Sequence, residues 1–433
     1  MNAPLPTIRI GILGCGVVGS QVASQLLRHQ KELSTRSGAE LILTKIAVRD
    51  VNLEREGIDP ALFTADAKSV VTDPEIDLVV EVMGGIEPAR ELILLAIENG
   101  KSVVTANKAL LATHGADLYS AADSRGVDLY YEAAVAGAIP ILRPLRESLV
   151  GDHVTRIMGI VNGTTNYILT KMDEDGLAFE EALEGAQNLG YAEADPTADI
   201  EGYDAAAKAA ILAGLAFHTR VTSADVYREG ITSITATDVA VAQSMNHVIK
   251  LLAIAELTPS DEISVRVHPA LLPRTHPLAS VRNAYNAVFV EAEAAGELMF
   301  YGRGAGGAPT ASAVLGDVVA VARHLTSGAL GPRESDYADR AIAPIDEIKT
   351  QYLIRLDVAD KPGVLAAVAQ AFATENVSIQ TVRQSGRGVD AELIVVTHGA
   401  SEHALALTVK RLSQMDTVRT VESVIRVEGV VQQ

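Results

Sequence analysis

Short apolar runs alternate with helix-like segments over the first third of the 433-residue chain. The first run, TIRIGILGCG (7–16), ends in glycines and leads into residues with apolar positions at helical spacing. Further runs lie at 41–48, 76–85, 101–108 and 127–135, and helix-like segments follow several of them. Buried parallel strands with crossover helices give this pattern. It therefore predicts a doubly wound, Rossmann-like α/β domain.

The glycines after the first run have the spacing Gly14-x-Gly16-x-x-Gly19, between a predicted strand and a predicted helix. In a dinucleotide-binding turn the first glycine allows the tight turn and the second lets the backbone approach a pyrophosphate. The third allows close packing of helix on strand. We predict that Gly14, Gly16, Val17, Val18 and Gly19 contact such a cofactor. A glycine-rich turn in a nucleotide-free domain is the alternative.

The residues after the second run bear on which cofactor binds. An acidic side chain here usually holds the ribose 2′-hydroxyl, whereas this chain has Val48-Arg49-Asp50. An arginine is suited to a 2′-phosphate, so Arg49 favours NADP, with NAD or dual use left open and a surface arginine as the alternative. We interpret Cys15 as a small residue that fills the turn rather than as a reactive thiol.

The chain after Pro144 mixes helical and strand-like segments, which predicts an α+β domain. Alanine-rich segments predict helices near 178–189, 203–217 and 237–256. Strand-like runs and a glycine cluster ahead of another helix complete this part; they lie at 156–163, 263–271, 285–293 and 302–309.

The last 83 residues have the order strand–helix–strand–strand–helix–strand, which is that of a ferredoxin-like domain. We therefore expect three domains: residues 1–145, with 310–340 packing back on them, 146–309 and 351–433.

Two lysines and a block of carboxylates are candidates for chemistry. VTANK ends an apolar run, which places Lys108 at the carboxyl edge of the sheet, where ligands bind in open α/β folds; a solvent-exposed helix-cap lysine is the alternative. Asp204 and Lys208 lie four apart on a predicted helix and share one face. The block holds carboxylates suited to a substrate ammonium group, followed by a lysine suited to proton transfer: Glu193, Asp195, Asp199, Glu201, Asp204 and Lys208. A surface ion pair and a divalent-cation site that Lys208 would repel are the alternatives.

Bulk properties exclude some classes of partner. The net charge of −19 argues against a nucleic-acid or anionic-membrane surface, since those partners require basic patches. One cysteine cannot form an internal disulfide. We see no signal-peptide pattern and no apolar run long enough to span a membrane, so we expect a cytoplasmic protein.

Several longer stretches resemble homoserine dehydrogenase, in its monofunctional bacterial form with a C-terminal ACT domain. They are GxGxVG, VTANK, EAAVAGAIP, GIVNGTTNYIL, GYAEADPTADIEGYDAAAKAAILA and GRGAGGAPTASAV, within about residues 10–320. The resemblance implies an α/β cofactor domain, an α+β catalytic and dimerisation domain, and a homodimer or homotetramer. It also implies NAD(P)H-dependent interconversion of L-aspartate 4-semialdehyde and L-homoserine, in threonine and methionine biosynthesis.

The resemblance also implies residue roles. Lys208 matches the catalytic proton donor and Lys108 its partner lysine near cofactor and substrate. The other matches are substrate-binding Glu193 and Asp204 with support from Asp199; cofactor contacts at Gly190 and Gly306; and a sodium site from Glu132 with the carbonyls of Val135, Gly137 and Ile139. For Gly306, a simple turn before a helix is the alternative.

The tail resembles an ACT domain, with DKPGVLAAVAQAF as its first strand–helix junction. ACT domains bind small amino acids near such a junction, so Gly363 and Asn376 are candidate effector contacts, with threonine the expected effector. An oligomerisation module without a ligand is the alternative. For the whole chain, two rivals are another NAD(P)-dependent semialdehyde or amino-acid oxidoreductase and a non-catalytic nucleotide and amino-acid sensor.

Overall fold

The structure, a computed structural model, describes residues 5–334, 336–386 and 391–429. Within these ranges no helix combines the length and the apolar character that a membrane span requires.

The N-terminal part alternates strands and helices as predicted. Its elements are β1 (Thr7–Leu13), α1 (Val17–Arg28), α2 (Gln30–Ser37), β2 (Glu40–Ala47), β3 (Phe63–Thr64), α3 (Lys68–Val71), β4 (Leu78–Glu81), α4 (Ala89–Glu98), β5 (Ser102–Thr105), α5 (Lys108–Arg125) and β6 (Leu129–Tyr130). The sheet order is β3-β2-β1-β4-β5-β6, and each neighbouring pair is parallel. This is the dinucleotide-binding strand order, so the predicted Rossmann-like fold is confirmed.

The middle part contains helices and longer strands. They are β7 (Val154–Ile160), α6 (Gly163–Asp175), α7 (Phe179–Asn188), α8 (Thr197–Ile200), α9 (Tyr203–Phe217), β8 (Tyr227–Arg228), α10 (Ala236–Ser244), β9 (His247–Leu257), β10 (Ile263–Pro273), β11 (Tyr285–Ala292), β12 (Gly296–Arg303) and α11 (Gly307–Ser327).

The helix predicted over 237–256 is wrong in its second half. Helix α10 ends at Ser244, and His247–Leu257 instead forms β9, which pairs antiparallel with β10 along its whole length. Eight consecutive residues of β9 are buried, because this strand is covered on both faces. A continuous apolar run of this kind has no period that separates a buried strand from a buried helix.

The C-terminal part has the predicted βαββαβ order. Its elements are β13 (Lys349–Val358), α12 (Val364–Thr374), β14 (Ile379–Ser385), β15 (Glu392–Thr397), β16 (Ala400–Ser401), α13 (Glu402–Leu412) and β17 (Val418–Val427). The main strands follow the order β17-β13-β15-β14, with a core centred on Phe372 and Ile354. The ferredoxin-like fold is confirmed.

The described chain forms two compact units. The first contains the described residues up to Ile157, with Ala207–Val226 and Tyr285–Asp339. The second contains Met158–Ala206, Tyr227–Ala284 and the described chain from Arg340 onward. In the first unit α11 shares the core of the six-stranded sheet with α1. In the second, β17 pairs in parallel with β10, which joins the ferredoxin-like sheet to β9 and β10.

Candidate active site

The three glycines of the turn after β1 have three different environments. Gly14 has φ +96°, a conformation that favours glycine. A Cβ on Gly19 would lie 2.2 Å from the Gly14 carbonyl oxygen, so α1 packs on the turn at a distance only glycine permits. A Cβ on Gly16 would meet no atom within 4 Å, so its backbone faces open space. The turn thus combines a tight bend, a close contact and an open backbone surface.

The open space lies at the start of α1. Gly16 caps this helix without a side-chain hydrogen bond, so no side chain of the cap competes for the first N–H groups. A helix N-terminus of this kind attracts anions through its free N–H groups and its dipole. Cys15 lies within the turn and is buried, and burial raises the pKa of its thiol, which favours the interpretation as a filling residue.

Two arginines follow β2. Arg49 is exposed two residues after the strand. Arg55, which sequence reasoning missed, donates from Nε to the Cys15 carbonyl at 3.2 Å and from Nη1 to the Leu53 carbonyl at 2.8 Å. Its guanidinium also stacks 4.9 Å from the ring centre of Phe63. The structure therefore places a second, anchored cation beside the glycine turn.

A cavity of about 270 Å³ lies in the first unit at the carboxyl end of the parallel sheet. Both predicted lysines line it: half-buried Lys108, the first residue of α5, and Lys208, on α9 and 7% exposed. The other lining residues come from α1, from the loops after β4, β5, β6 and β12, and from α11: Val18, Val82, Met83, Gly84, Ala106, Asn107, Ala133, Ala134, Ala136, Gly137, Gly304, Ala305 and Thr310.

Buried polar side chains hold the wall that carries Lys108. Glu81, at the end of β4, accepts the Met83 N–H at 2.7 Å and the Thr105 hydroxyl at 2.6 Å. Asn107 caps α5 by accepting the Leu110 N–H and donates to the Gly85 carbonyl at 2.6 Å. These bonds fix the loops after β4 and β5, and so set where α5 and its first residue begin.

Gly306 lies at the start of α11 with φ +118°. A Cβ on the next residue, Gly307, would lie 2.8 Å from the Val17 carbonyl oxygen, so the starts of α11 and α1 are in contact. Gly306 is therefore close to the glycine turn.

The loop after β6 has a buried, strained backbone. Ala136 and Gly137 both have φ +56°, and the Glu132 carboxylate accepts N–H groups from Ile141 at 2.6 Å, Leu142 at 2.9 Å and Arg143 at 2.7 Å. Burial raises the pKa of Glu132, and these N–H groups oppose the rise.

The same loop presents oxygen atoms suited to a hard cation. A carboxylate has about four acceptor positions, so Glu132 retains one. Within the described residues, the carbonyl oxygens of Val135, Gly137 and Ile139 accept no hydrogen bond. Those residues also contain no group of three or more His, Cys, Asp or Glu side chains placed to hold a metal. The donors that fit a cation are thus mainly backbone carbonyls.

In the second unit Asn162 brings together two of the predicted carboxylates. Its Nδ2 donates to Asp199 Oδ1 at 2.6 Å and to Asp204 Oδ2 at 2.9 Å, while its Oδ1 caps α6 by accepting the Thr165 N–H at 2.9 Å. Asn162 is 5% exposed and Asp204 is 8% exposed. Sequence reasoning missed Asn162, although NGTT before a helix is a recognisable cap pattern.

The structure does not gather the remaining carboxylates into this group. Glu193 is exposed, and its backbone carbonyl accepts a hydrogen bond from Gln187 Nε2 at 3.2 Å. Asp195 caps the turn before α8 through Thr197, which lowers its pKa, and Glu201 accepts from the Thr232 hydroxyl. Gly190, with φ +72°, ends the segment after α7.

The predicted effector contacts flank α12. Gly363 precedes the helix with φ +93°, and Asn376 follows it with φ +57°. A positive φ is ordinary for glycine and uncommon for asparagine, and each of the two residues ends the regular helix on its side.

The residues of the two units have counterparts in known proteins. A family model described as homoserine dehydrogenase matches residues 140–319, one described as its NAD-binding domain matches 14–132, and an ACT domain model matches 352–416. A homoserine dehydrogenase of Mycobacterium tuberculosis strain H37Rv is 56% identical over 432 residues, which cover 98% of each chain. The chain belongs to the homoserine dehydrogenase family.

Solved structures agree. A homoserine dehydrogenase from Thiobacillus denitrificans is 41% identical with a TM-score of 0.93, and the match covers 98% of this chain and 99% of that one. A hyperthermophilic archaeal homoserine dehydrogenase in complex with NADPH is 28% identical with a TM-score of 0.62 over 73% of this chain and 97% of that one.

The chain is therefore an oxidoreductase that interconverts L-aspartate 4-semialdehyde and L-homoserine with NAD(P)H, a step of threonine and methionine biosynthesis. Its C-terminal ACT domain indicates regulation by an amino-acid effector. Membership of this family excludes the two alternative functions that the sequence left open, another NAD(P)-dependent oxidoreductase and a non-catalytic sensor.

Proposed function

We propose that Lys208 exchanges the proton of this reaction and that Lys108 assists it beside cofactor and substrate. The observation that carries the proposal is their shared cavity at the carboxyl end of the sheet. Bound nicotinamide supplies the hydride for reduction of the aldehyde carbon. Lys208 Nζ donates a proton to the developing alkoxide oxygen, and takes it back when homoserine is oxidised.

We propose that Asp204 and Glu193 receive the substrate ammonium group, with Asp199 in support. The support for this role is the buried position of Asp204 and its shared hydrogen-bond donor with Asp199. Two carboxylates held at one amide carry concentrated negative charge, which a primary ammonium group would balance.

We propose NADP as the preferred cofactor. Gly14, Gly16, Val17, Val18 and Gly19 would hold the pyrophosphate, with Gly190 and Gly306 as further contacts. Exposed Arg49 would pair with the 2′-phosphate, and anchored Arg55 adds positive charge at the same turn. An archaeal relative that was solved with NADPH supports this preference.

Replacing Lys208 by Ala tests the central proposal. We expect kcat to fall by roughly a hundredfold or more, because one general acid–base group contributes about that factor. The dissociation constant for NADPH, measured by fluorescence, should remain within about twofold of wild type. Lys171→Ala is the control, since Lys171 pairs with Asp175 outside the cavity. Wild-type turnover by Lys208→Ala would overturn the proposal.

We propose a sodium ion in the loop of Glu132, Val135, Gly137 and Ile139. The free carbonyls and the paired left-handed residues Ala136 and Gly137 support it, because a cation would balance the buried oxygens of this loop. Its part would be to hold the loop that lines the lysine cavity.

We propose threonine as the effector, at Gly363 and Asn376 on either end of α12, and a homodimer or homotetramer as the working form. The domain limits 1–145, 146–309 and 351–433, with 310–340 returning to the first, and the cytoplasmic location remain predictions. For the returning segment, the support is the position of α11 in the first core.

Titration of the full-length chain with threonine tests the effector. Inhibition should saturate with threonine and be absent with serine or valine at equal concentration. The full chain is required, because removal of the ACT domain would also remove β17, which pairs in parallel with β10. Equal inhibition by all three amino acids would contradict the choice of threonine.

A further inference from the structure

The last strand of the ACT domain carries a buried arginine that contacts two carboxylates. Arg426 donates from Nε and Nη2 to the two oxygens of Glu402, each at 2.8 Å, within the ACT domain. Its Nη1 lies 2.8 Å from Glu229 Oε2, which belongs to the preceding domain. Arg426 is 5% exposed and Glu402 is equally buried, so their contact is made away from water, where charged hydrogen bonds are strong, whereas the Glu229 side chain is 39% exposed.

Glu229 follows directly on β8, a short strand with few bonds of its own. This strand pairs with β10 through two residues, and Glu229 N–H donates to the Val267 carbonyl at 2.8 Å. The Tyr227 hydroxyl also donates to Glu229. Arg426 thus adds a charged contact to a segment whose regular pairing is short.

The segment 227–232 packs tightly on the residues between Asp199 and Asp204. Ile231 N–H donates to the Ile200 carbonyl at 2.8 Å, and the Thr232 hydroxyl donates to Glu201 Oε1 at 2.9 Å. A Cβ on Gly230 would lie 2.5 Å from the Ile200 carbonyl oxygen, so the two backbones touch. A displacement of Glu229 must therefore move residues 200–201.

Residues 200–201 are flanked by Asp199, in α8, and Asp204, in the first turn of α9. Both carboxylates depend on the same Asn162 amide, with distances of 2.6 Å and 2.9 Å. Hydrogen bonds of this length tolerate shifts of only a few tenths of an ångström. A small shift of 200–201 would therefore change the spacing of the two carboxylates.

We propose that Glu229 and Arg426 are positioning residues for the amino-acid substrate. The pair connects the ACT domain to segment 227–232 and, through it, fixes the spacing of Asp199 and Asp204. This inference rests on the proposed role of those two carboxylates. The ammonium group lies away from the reacting carbon, so its binding contributes about equally to ground and transition states. Loss of the pair should therefore raise KM and leave kcat nearly unchanged.

Steady-state kinetics of Glu229→Gln tests the inference. Glu229 is 39% exposed, so its replacement should leave the fold intact, as a thermal unfolding curve can verify. KM for aspartate semialdehyde should rise about fivefold or more, with kcat and KM for NADPH within about twofold of wild type. Asp357→Asn is the matched control: Asp357 is 32% exposed and pairs with Arg419 in the same domain, away from segment 227–232.

Asp204→Asn separates this inference from the proposed function. If Asp204→Asn raises KM for aspartate semialdehyde and Glu229→Gln does not, the positioning role is wrong and the substrate role stands. If Asp204→Asn leaves that KM unchanged, the substrate role itself fails. An equal rise of KM in Glu229→Gln and Asp357→Asn would overturn the inference, because it would show a general effect of losing an ion pair.

Discussion

The cofactor turn depends on the backbone of three glycines, whereas the carboxylate site depends on polar side chains. At the turn, Gly14, Gly16 and Gly19 act by having no side chain: one bends, one leaves space and one permits contact. At the carboxylate site, Asn162, Asp199 and Asp204 act entirely through side-chain atoms joined by two hydrogen bonds. The first site depends on backbone shape and the second on buried polar bonds.

Because of this difference, we expect substitutions at the two sites to have different effects. An added methyl group at the turn meets either backbone atoms, which cannot yield, or empty space, where a ligand belongs. A removed amide at the carboxylate site takes one hydrogen-bond donor from each of the two carboxylates while the backbone stays in place. We expect the first kind of change to lower the free energy of unfolding or the affinity for the cofactor. We expect the second kind to weaken substrate binding.

The largest effect should come from adding a methyl group at Gly19. In Gly19→Ala the Cβ would lie 2.2 Å from the Gly14 carbonyl oxygen, which must move. We expect a loss of about 3 kcal/mol in the free energy of unfolding, as for severe overpacking, measured by denaturant titration without cofactor.

Gly16→Ala is the matched variant one turn earlier. Gly16 has φ −80°, which alanine adopts without strain, and its Cβ would meet no protein atom. Its unfolding free energy should equal that of wild type, whereas NADPH affinity should fall about tenfold, because the methyl group occupies the approach of the pyrophosphate. Equal stability losses in the two variants would contradict the separation of packing from binding.

A smaller effect is expected at Asn162. Asn162→Ala removes the donor shared by Asp199 and Asp204, so KM for aspartate semialdehyde should rise roughly tenfold or more in steady-state assays, with KM for NADPH unchanged. It also removes the cap of α6, which contributes about 1 kcal/mol to stability.

Asn162→Ser separates these two losses. Serine can cap the helix but cannot reach both carboxylates, so it should restore stability and leave KM high. Recovery of both properties in Asn162→Ser would show that capping alone matters.

The same contrast explains what the sequence could reveal. The glycine spacing and the strand alternation are local patterns, so the Rossmann-like fold and the shape of the turn were predictable. The contacts of Asn162 join residues 37 and 42 positions apart in the chain, and the contact of Arg426 with Glu229 joins residues that are still farther apart in sequence. No local pattern encodes such pairs. The helix predicted beyond Ser244 failed for the related reason that β9 is defined by its long-range pairing with β10.

The smallest expected effect concerns Lys250, which holds the helix that Asn162 caps. Lys250, on β9 and 4% exposed, donates from Nζ to Asn166 Oδ1 at 2.8 Å and to the Val281 carbonyl at 2.6 Å. Asn166 lies on α6, one turn after Asn162, so this lysine anchors the helix that Asn162 caps. Burial lowers the pKa of Lys250 from 10.5 to about 8.

A lysine with a lowered pKa in the folded state makes stability rise with pH. Between about pH 8 and pH 10.5 the unfolded chain retains a proton that the folded chain has released, so the cost of burying the charge is relieved. The unfolding free energy of wild type minus that of Lys250→Met should rise by about 1 kcal/mol between pH 7 and pH 9. Lys171→Met is the control: its ion pair with Asp175 raises the pKa of Lys171, so both states stay protonated over this range. A flat difference for Lys250→Met would mean that the buried ammonium keeps its proton, and that charged hydrogen bonds to Asn166 and Val281 outweigh its desolvation. Lys250 would then anchor α6 as a charged ammonium group over the whole of this pH range.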